Sequence, residues 1–265
     1  MKKLGTPILG IALALAACGD ATGPGSNGQP VVSLSFTTRQ PATASLALGL
    51  SLQAASALAD TVITNGDTLI ITRAQIVLRE IELERVEATS CDTTIVDHDA
   101  CEELEIGPVL VDLPLNGQVE REYSVAVPPG SYDEIEFEIH KVSSDDQEDA
   151  AFRAANPDFA GISMRVEGTF NGDAFVFTSD LNVEQEFDLN PPLIVDSTAT
   201  NTNVTILVGL DQWFRSPTGA VLNPETGNKG EVNESLIKEN IKQSVEAFED
   251  DDEDGEDDDE DDSSS

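Results

Sequence analysis

The chain has 265 residues, with 51 acidic side chains against 14 basic ones and a formal net charge of −37. A field of that sign repels phosphate backbones and anionic head groups, which argues against nucleic acid and against direct electrostatic membrane binding. It suits cations, calcium among them, and basic protein patches, although the same charge also serves solubility alone.

At the start, Lys2 and Lys3, the apolar run 8–17 and the small residues Ala16 and Ala17 form the three parts of an export signal. The run is too short for a bilayer about 30 Å thick, which needs about 20 apolar residues. Leu15-Ala16-Ala17-Cys18 resembles the lipobox of bacterial lipoproteins, whose cysteine thiol receives a diacylglyceryl group and becomes the new N-terminus. The resemblance implies a signal peptide at 1–17, lipidation at Cys18 and a protein held to the cell envelope by acyl chains. Gly19 offers no obvious inner-membrane retention signal, so the outer membrane is preferred. An ordinary secretory signal with an accidental cysteine is the alternative.

Residues 18–30, rich in Gly, Pro and polar side chains, read as a flexible tether. "VVSLSF" opens a domain expected over 31–232. Within it "SLALGLSLQAASALAD" mimics a second signal core ending in Ala57-Leu58-Ala59, but only Arg39 stands near as a basic end. Residues 38–60 are therefore expected to be a linker or a small-residue helix.

"DTVITNGDTLIIT" predicts a hairpin about Asn65-Gly66. "RAQIVLREIELERVEA" fits a helix through Ala74, Val77, Leu78 and Ile81. It also fits a strand through Ile76, Leu78, Ile81 and Leu83 with a bulge at Arg79-Glu80, and the strand is preferred. Cys91 and Cys101 bracket "DTTIVDHDA". An exported chain sits where disulfides persist, and one lipidated cysteine plus one pair accounts for every thiol. Such a bridge removes about 3 kcal/mol of unfolded-state entropy. A metal site joining both thiols to Asp97, His98 and Asp99 competes with it, but lacks the closer cysteine spacing of thiolate sites.

Period two dominates the middle. Val119, Arg121, Tyr123, Val125 and Val127 share one face of a strand; Ile135, Phe137 and Ile139 oppose Glu134, Glu136, Glu138 and His140 in the next. "PPGSY", with Pro129 and Gly130 suited to a tight turn, is expected to join these two as a hairpin. Another hairpin is expected about Asn171-Gly172, and further strands over 183–189 and 204–210. Short strands at this spacing predict a mainly β chain folded as an antiparallel β-sandwich. Residues 233–248 place Ile237, Ile241, Val245 and Phe248 on one helical stripe behind Asn233 as N-cap, predicting one C-terminal amphipathic helix. The acidic stretch 249–265 has nothing to bury and is expected to be disordered.

"VLREIELER", "VDLPLNG" and "VPPGSYDEIEFEI" together resemble uncharacterised bacterial lipoproteins with a transthyretin-like (prealbumin-like) β-sandwich of unknown function, over about residues 60–210. The resemblance implies a fold and an address, not a reaction. The acidic C-terminus departs from it.

For chemistry, Asp250-x-Asp252-x-Asp254-Gly255 matches the opening of an EF-hand-type calcium loop, with Glu256 and Asp258 at later ligand positions. Asp261 stands where a longer Glu is expected and no second helix follows, so calcium would bind weakly, at roughly 10⁻⁴ to 10⁻³ M. No G-x-S-x-G, H-E-x-x-H or P-loop occurs. His98 and His140 read as exposed. Glu134, Glu136 and Glu138 read as a solvated sheet face, with cation binding or glycoside hydrolysis as alternatives. Trp213 reads as a core or rim anchor, with a sugar-stacking platform as the alternative. The sequence thus predicts a non-enzymatic, tethered domain that binds an envelope protein or glycan, or has a structural role. A calcium-responsive adhesion module is the second reading, and a carboxylate hydrolase the third.

Overall fold

Leu69, Ile71, Ala74, Ile76, Leu78, Ile81 and Leu83 are all buried along one strand, β3 (Asp67–Arg85). The segment that fitted both periods is therefore extended. Its pairing shifts between Arg79 and Glu82, and Glu80 takes a left-handed φ of 52°. That is the expected bulge, and it returns Ile81 and Leu83 to the face that Ile76 and Leu78 occupy. The computed structural model describes residues 30–38, 59–64, 66–86, 107–115, 117–196 and 202–255. Cys18, Cys91, Cys101, His98, Glu256 and Asp258 lie outside the described residues, as do 39–58 of the expected linker.

The described chain is mainly β, in two sheets. The first has the order β11-β10-β1-β5, built from β1 (Val31–Thr38), β5 (Glu120–Ala126), β10 (Thr202–Val208) and β11 (Val245–Glu249). β1 and β10 run parallel; the other neighbours are antiparallel. The second runs β8-β7-β3-β6-β9, with β2 and β4 also paired to β3. Its members are β2 (Asp60–Thr64), β4 (Val109–Asp112), β6 (Gly130–Ile139), β7 (Met164–Phe170), β8 (Asp173–Ser179) and β9 (Val183–Val195). Alternation explains the shared core: Val32, Leu34, Phe36, Val204 and Ile206 of the first sheet meet Ile81, Leu83, Ile135 and Phe137 of the second.

Two expected hairpins form. Thr64 pairs with Asp67 about residues 65–66, where Gly66 has φ 97°. Phe170 pairs with Asp173 across Asn171 (φ 53°) and Gly172 (φ 91°), the positive angles of a primed turn. The third does not form. β5 pairs with β1 and β6 pairs with β3 and β9, so Pro128-Pro129 carries the chain from one sheet to the other. Tyr132 fixes that corner: its hydroxyl donates to the Pro128 carbonyl (2.8 Å) under the Arg85 guanidinium.

The C-terminal helix is also shorter than predicted. α3 covers Glu234–Lys242, and Val245–Glu249 forms β11 instead of a last helical turn. Val245 and Ala247 satisfy the strand period as well as Val245 and Phe248 satisfy the helical one. The open edge of β10 decides it by offering a ladder over Val204–Val208. Ser244 marks the change: its hydroxyl donates to Ile241 O and accepts from Trp213 Nε1 (2.7 Å). Trp213, at the end of the short helix α2 (Leu210–Trp213), is fully buried, which removes the sugar-platform reading.

β7 crosses β3 closely at Gly168, where an added methyl would overlap the Ile70 carbonyl oxygen. No side chain can escape a backbone atom there. Gly168→Ala should destabilise the protein by about 3 kcal/mol, as overpacked sites do, read as a lowered urea midpoint. An unchanged midpoint would contradict the packing.

Candidate functional site

With Ile135, Phe137 and Ile139 pointing inward, β6 must present Glu134, Glu136 and Glu138 on the outer face of the larger sheet. The neighbouring strands repeat the pattern in register. Glu136 lies between Glu82 of β3 and Glu186 of β9; Glu134 lies between Glu84 and Asp188. Six carboxylates thus form two rows across three strands, an arrangement in which like charges opposite one another are destabilising. Oxygens of Glu84, Glu134 and Glu136 lie within 4.8 Å of one another, and so do those of Glu136, Glu184 and Glu186.

Glu136 belongs to both groups. A hydrogen bond from its carboxyl to Glu184, with burial and repulsion by Glu184, Glu82 and Glu186, pushes its pKa up to about 8. The protonated Glu136 carboxyl donates that hydrogen bond. Glu134 is shifted upward too, by burial and then by Glu84, Glu186, Asp188 and Asp133. Beyond this end of the grid, Asp188, Leu189, Asn190 and Pro191 of β9 and Ala247, Phe248 and Glu249 of β11 line a cavity of about 90 Å³.

Glu138 is separated from these rows by its partners. Arg79 reaches it with Nη2 at 3.0 Å and Nε at 3.1 Å, and Asn182 Nδ2 donates to its other oxygen. His140, expected on the surface, is 4% exposed. Its Nδ1 lies 3.1 Å from Glu138 Oε2 and its Nε2 lies 2.8 Å from Asp149 Oδ1, while Asp149 also accepts the Ser143 N–H. The correction has a plain cause. Helix α1 (Asp149–Ala155) and a 3-10 turn at Pro157–Phe159 fold over this end of the sheet, where Phe152 and Phe159 pack on Val77 and Val142. Nothing in the strand period of 133–141 announces that cover.

The calcium-like stretch divides differently. Asp250 is buried and accepts from Thr205 Oγ1 (2.8 Å), Asp254 N (3.0 Å) and Gly255 N (3.1 Å), while Asn203 Nδ2 donates to its carbonyl. It caps its own loop and belongs to the fold, contrary to an acidic tail disordered from residue 249. Burial, the largest cause, pushes its pKa upward. Oxygens of Asp250, Asp252 and Asp254 nevertheless converge within 4.8 Å. Sequence reasoning missed Asn203 and Thr205, the buried partners of Asp250, and Glu82, Glu84, Glu184, Glu186 and Asp188 as companions of Glu134 and Glu136. Their alternation was visible; the strand order that unites them was not.

No family model, curated protein or solved structure matches this chain.

The grid has a pH signature. Folded Glu136 holds its proton up to about pH 8, against an ordinary glutamate value of 4.5. Between those values the native state binds more protons than the unfolded one, so stability falls as pH rises through the window. Urea midpoints measured across it should decline in the natural chain and flatten in Glu136→Gln. Parallel curves would dissociate the residue from the effect.

Proposed function

We propose that this chain is a non-enzymatic lipoprotein of the cell envelope, acylated at Cys18 and braced by a Cys91–Cys101 disulfide. In this reading its two sheets are a transthyretin-like β-sandwich, and the outer carboxylate grid binds cations or the cationic groups of an envelope ligand. One observation carries the binding reading: the alignment of Glu82–Glu136–Glu186 with Glu84–Glu134–Asp188. Stacked like charges cost stability that a bound positive charge returns, and clustered hard oxygens suit calcium. A catalytic role has less support, because G-x-S-x-G and H-E-x-x-H do not occur in the sequence and Glu136 and Glu184 are two acids among many on this face.

The convergence of Asp250, Asp252 and Asp254 supports a second reading, a calcium-responsive loop at the C-terminus. Calorimetric calcium titration separates the two, with dissociation constants expected at roughly 10⁻⁴ to 10⁻³ M. The combined Glu136→Gln, Glu184→Gln and Glu186→Gln variant should lose most of the heat. Asp252→Asn with Asp254→Asn should keep it, and these two side chains can be changed without removing the Asp250 cap. The opposite result moves the site to the loop, and absence of heat from the natural chain rejects both.

A further inference from the structure

Five large apolar side chains among the described residues are more than a third exposed: Ile63, Val86, Val176, Ile194 and Val232. Two of them are neighbours. Val86 N donates to the Ser131 carbonyl (3.0 Å), and Ser131 is the register partner of Ile194, so Val86 and Ile194 flank one residue across three strands. Their side chains stand about 10 Å apart on strand spacing alone. Ile194 is 61% exposed between the buried Leu193 and Val195, so it points away from the core. This row lies beyond Glu84–Glu134–Asp188, at the end of the outer face, two residues past Glu84 on β3 and six past Asp188 on β9.

The same end receives the N-terminal segment. Pro30 accepts a hydrogen bond from Val127 N, Val31 pairs with Ala126, and Pro128-Pro129 leads directly into Gly130, opposite Val195. The opposite end of the larger sheet is the Asn171-Gly172 turn, beside Leu69. From Leu69 to Arg85 along β3 is about 50 Å at strand rise. Twelve residues from Gly19 to Pro30 reach about 40 Å fully extended and about 20 Å on average as a flexible coil. An anchor at Cys18 therefore attaches nearer the Val86–Ile194 end than the Asn171 end.

We propose that the tethered domain rests on a zwitterionic phospholipid surface through the Val86–Ser131–Ile194 row, with Ile194 entering the interfacial layer. The occupant follows from the position of the row at the tether's exit and from its charge surroundings. The neighbouring carboxylates Glu84, Glu134 and Asp188 would repel an anionic leaflet, whereas apolar tips among neutral head groups lose nothing. The proposal rests on the Cys18 reading given above and adds an orientation to it.

The test uses the full, natively processed chain in phosphatidylcholine vesicles carrying brominated acyl chains, with Ile194→Trp and Ile63→Trp compared. Trp213 is buried and supplies a constant background. Emission added by the tryptophan at position 194 should be roughly halved on vesicles, as expected for insertion of several ångströms, with that at 63 unchanged. Flotation is read on the same samples. A chain that does not float overturns the anchor and this proposal together. A chain that floats with both positions quenched, or neither, leaves the anchor standing and overturns the orientation. A blue shift at 194 that grows with protein concentration and ignores the lipid assigns the row to a second copy of the chain and also overturns it.

Discussion

The alternation of β3 breaks at Thr72-Arg73 and again at Arg79-Glu80, and the outer face beside β6 depends on the second break. A strand of period two that slips by one residue exchanges its faces. Without the bulge, Ile81 and Leu83 would turn to solvent and Glu82 and Glu84 would enter the core, where an unpaired carboxylate is too costly to remain charged. Glu80 accepts a left-handed backbone, uncommon for a residue with a side chain, and Arg79 ties the kink outward to Glu80, Glu138 and Asp146. The bulge thereby aligns the acids of β3 with those of β6.

A sheet face with that much charge of one sign has to be held by its other side. Phe137 and Phe187 stack at 5.7 Å on the inner face, joining β6 to the edge strand β9 beneath the repelling pairs. Above the rows, Arg79 and the His140–Asp149 contact close the sheet under α1. Farther along, Asp180 accepts from Lys229 (2.7 Å) and Lys238 (2.6 Å), and these two cations depress its pKa strongly while tying α3 to the turn before β9. Four of the scarce basic residues, Arg79, Lys141, Lys229 and Lys238, are placed on these acids at the Glu138 end of the sheet, and the carboxylate rows continue from there toward Asp188.

How much of this was legible follows from the range of each signal. Asn171-Gly172, the bulge and the buried face of β6 are local: a turn's φ requirement or a period of two is written in a few consecutive residues. Pro129-Gly130 carries the same turn chemistry, but whether its strands pair with each other or cross between sheets depends on β1 and β3, far away in the chain. Val245 to Phe248 fit both periods, and the free edge of β10 chose between them. His140 obeyed its strand pattern and was covered by a segment that follows it. The same holds for the site. Glu134, Glu136 and Glu138 were visible as a run, whereas the removal of Glu138 by Arg79 and the alignment with β9 required the sheet order.

Edge strands extend the argument from the site to the whole surface. An open edge invites pairing with another chain. On β8, the Asn228 side chain stands in for a further strand, its amide donating to Val176 O and its oxygen accepting from Thr178 N. β9 carries Pro191 and Pro192, which offer no N–H, and its outward positions 184, 186 and 188 are all acidic. Approach of a second β9 would set carboxylate against carboxylate. The charge that makes the outer face a cation-binding candidate therefore also guards its margin, so a bound polyvalent cation would weaken that guard while it relieved the rows. On the proposed function, ligand binding and resistance to edge pairing are coupled through the same side chains, with opposite signs.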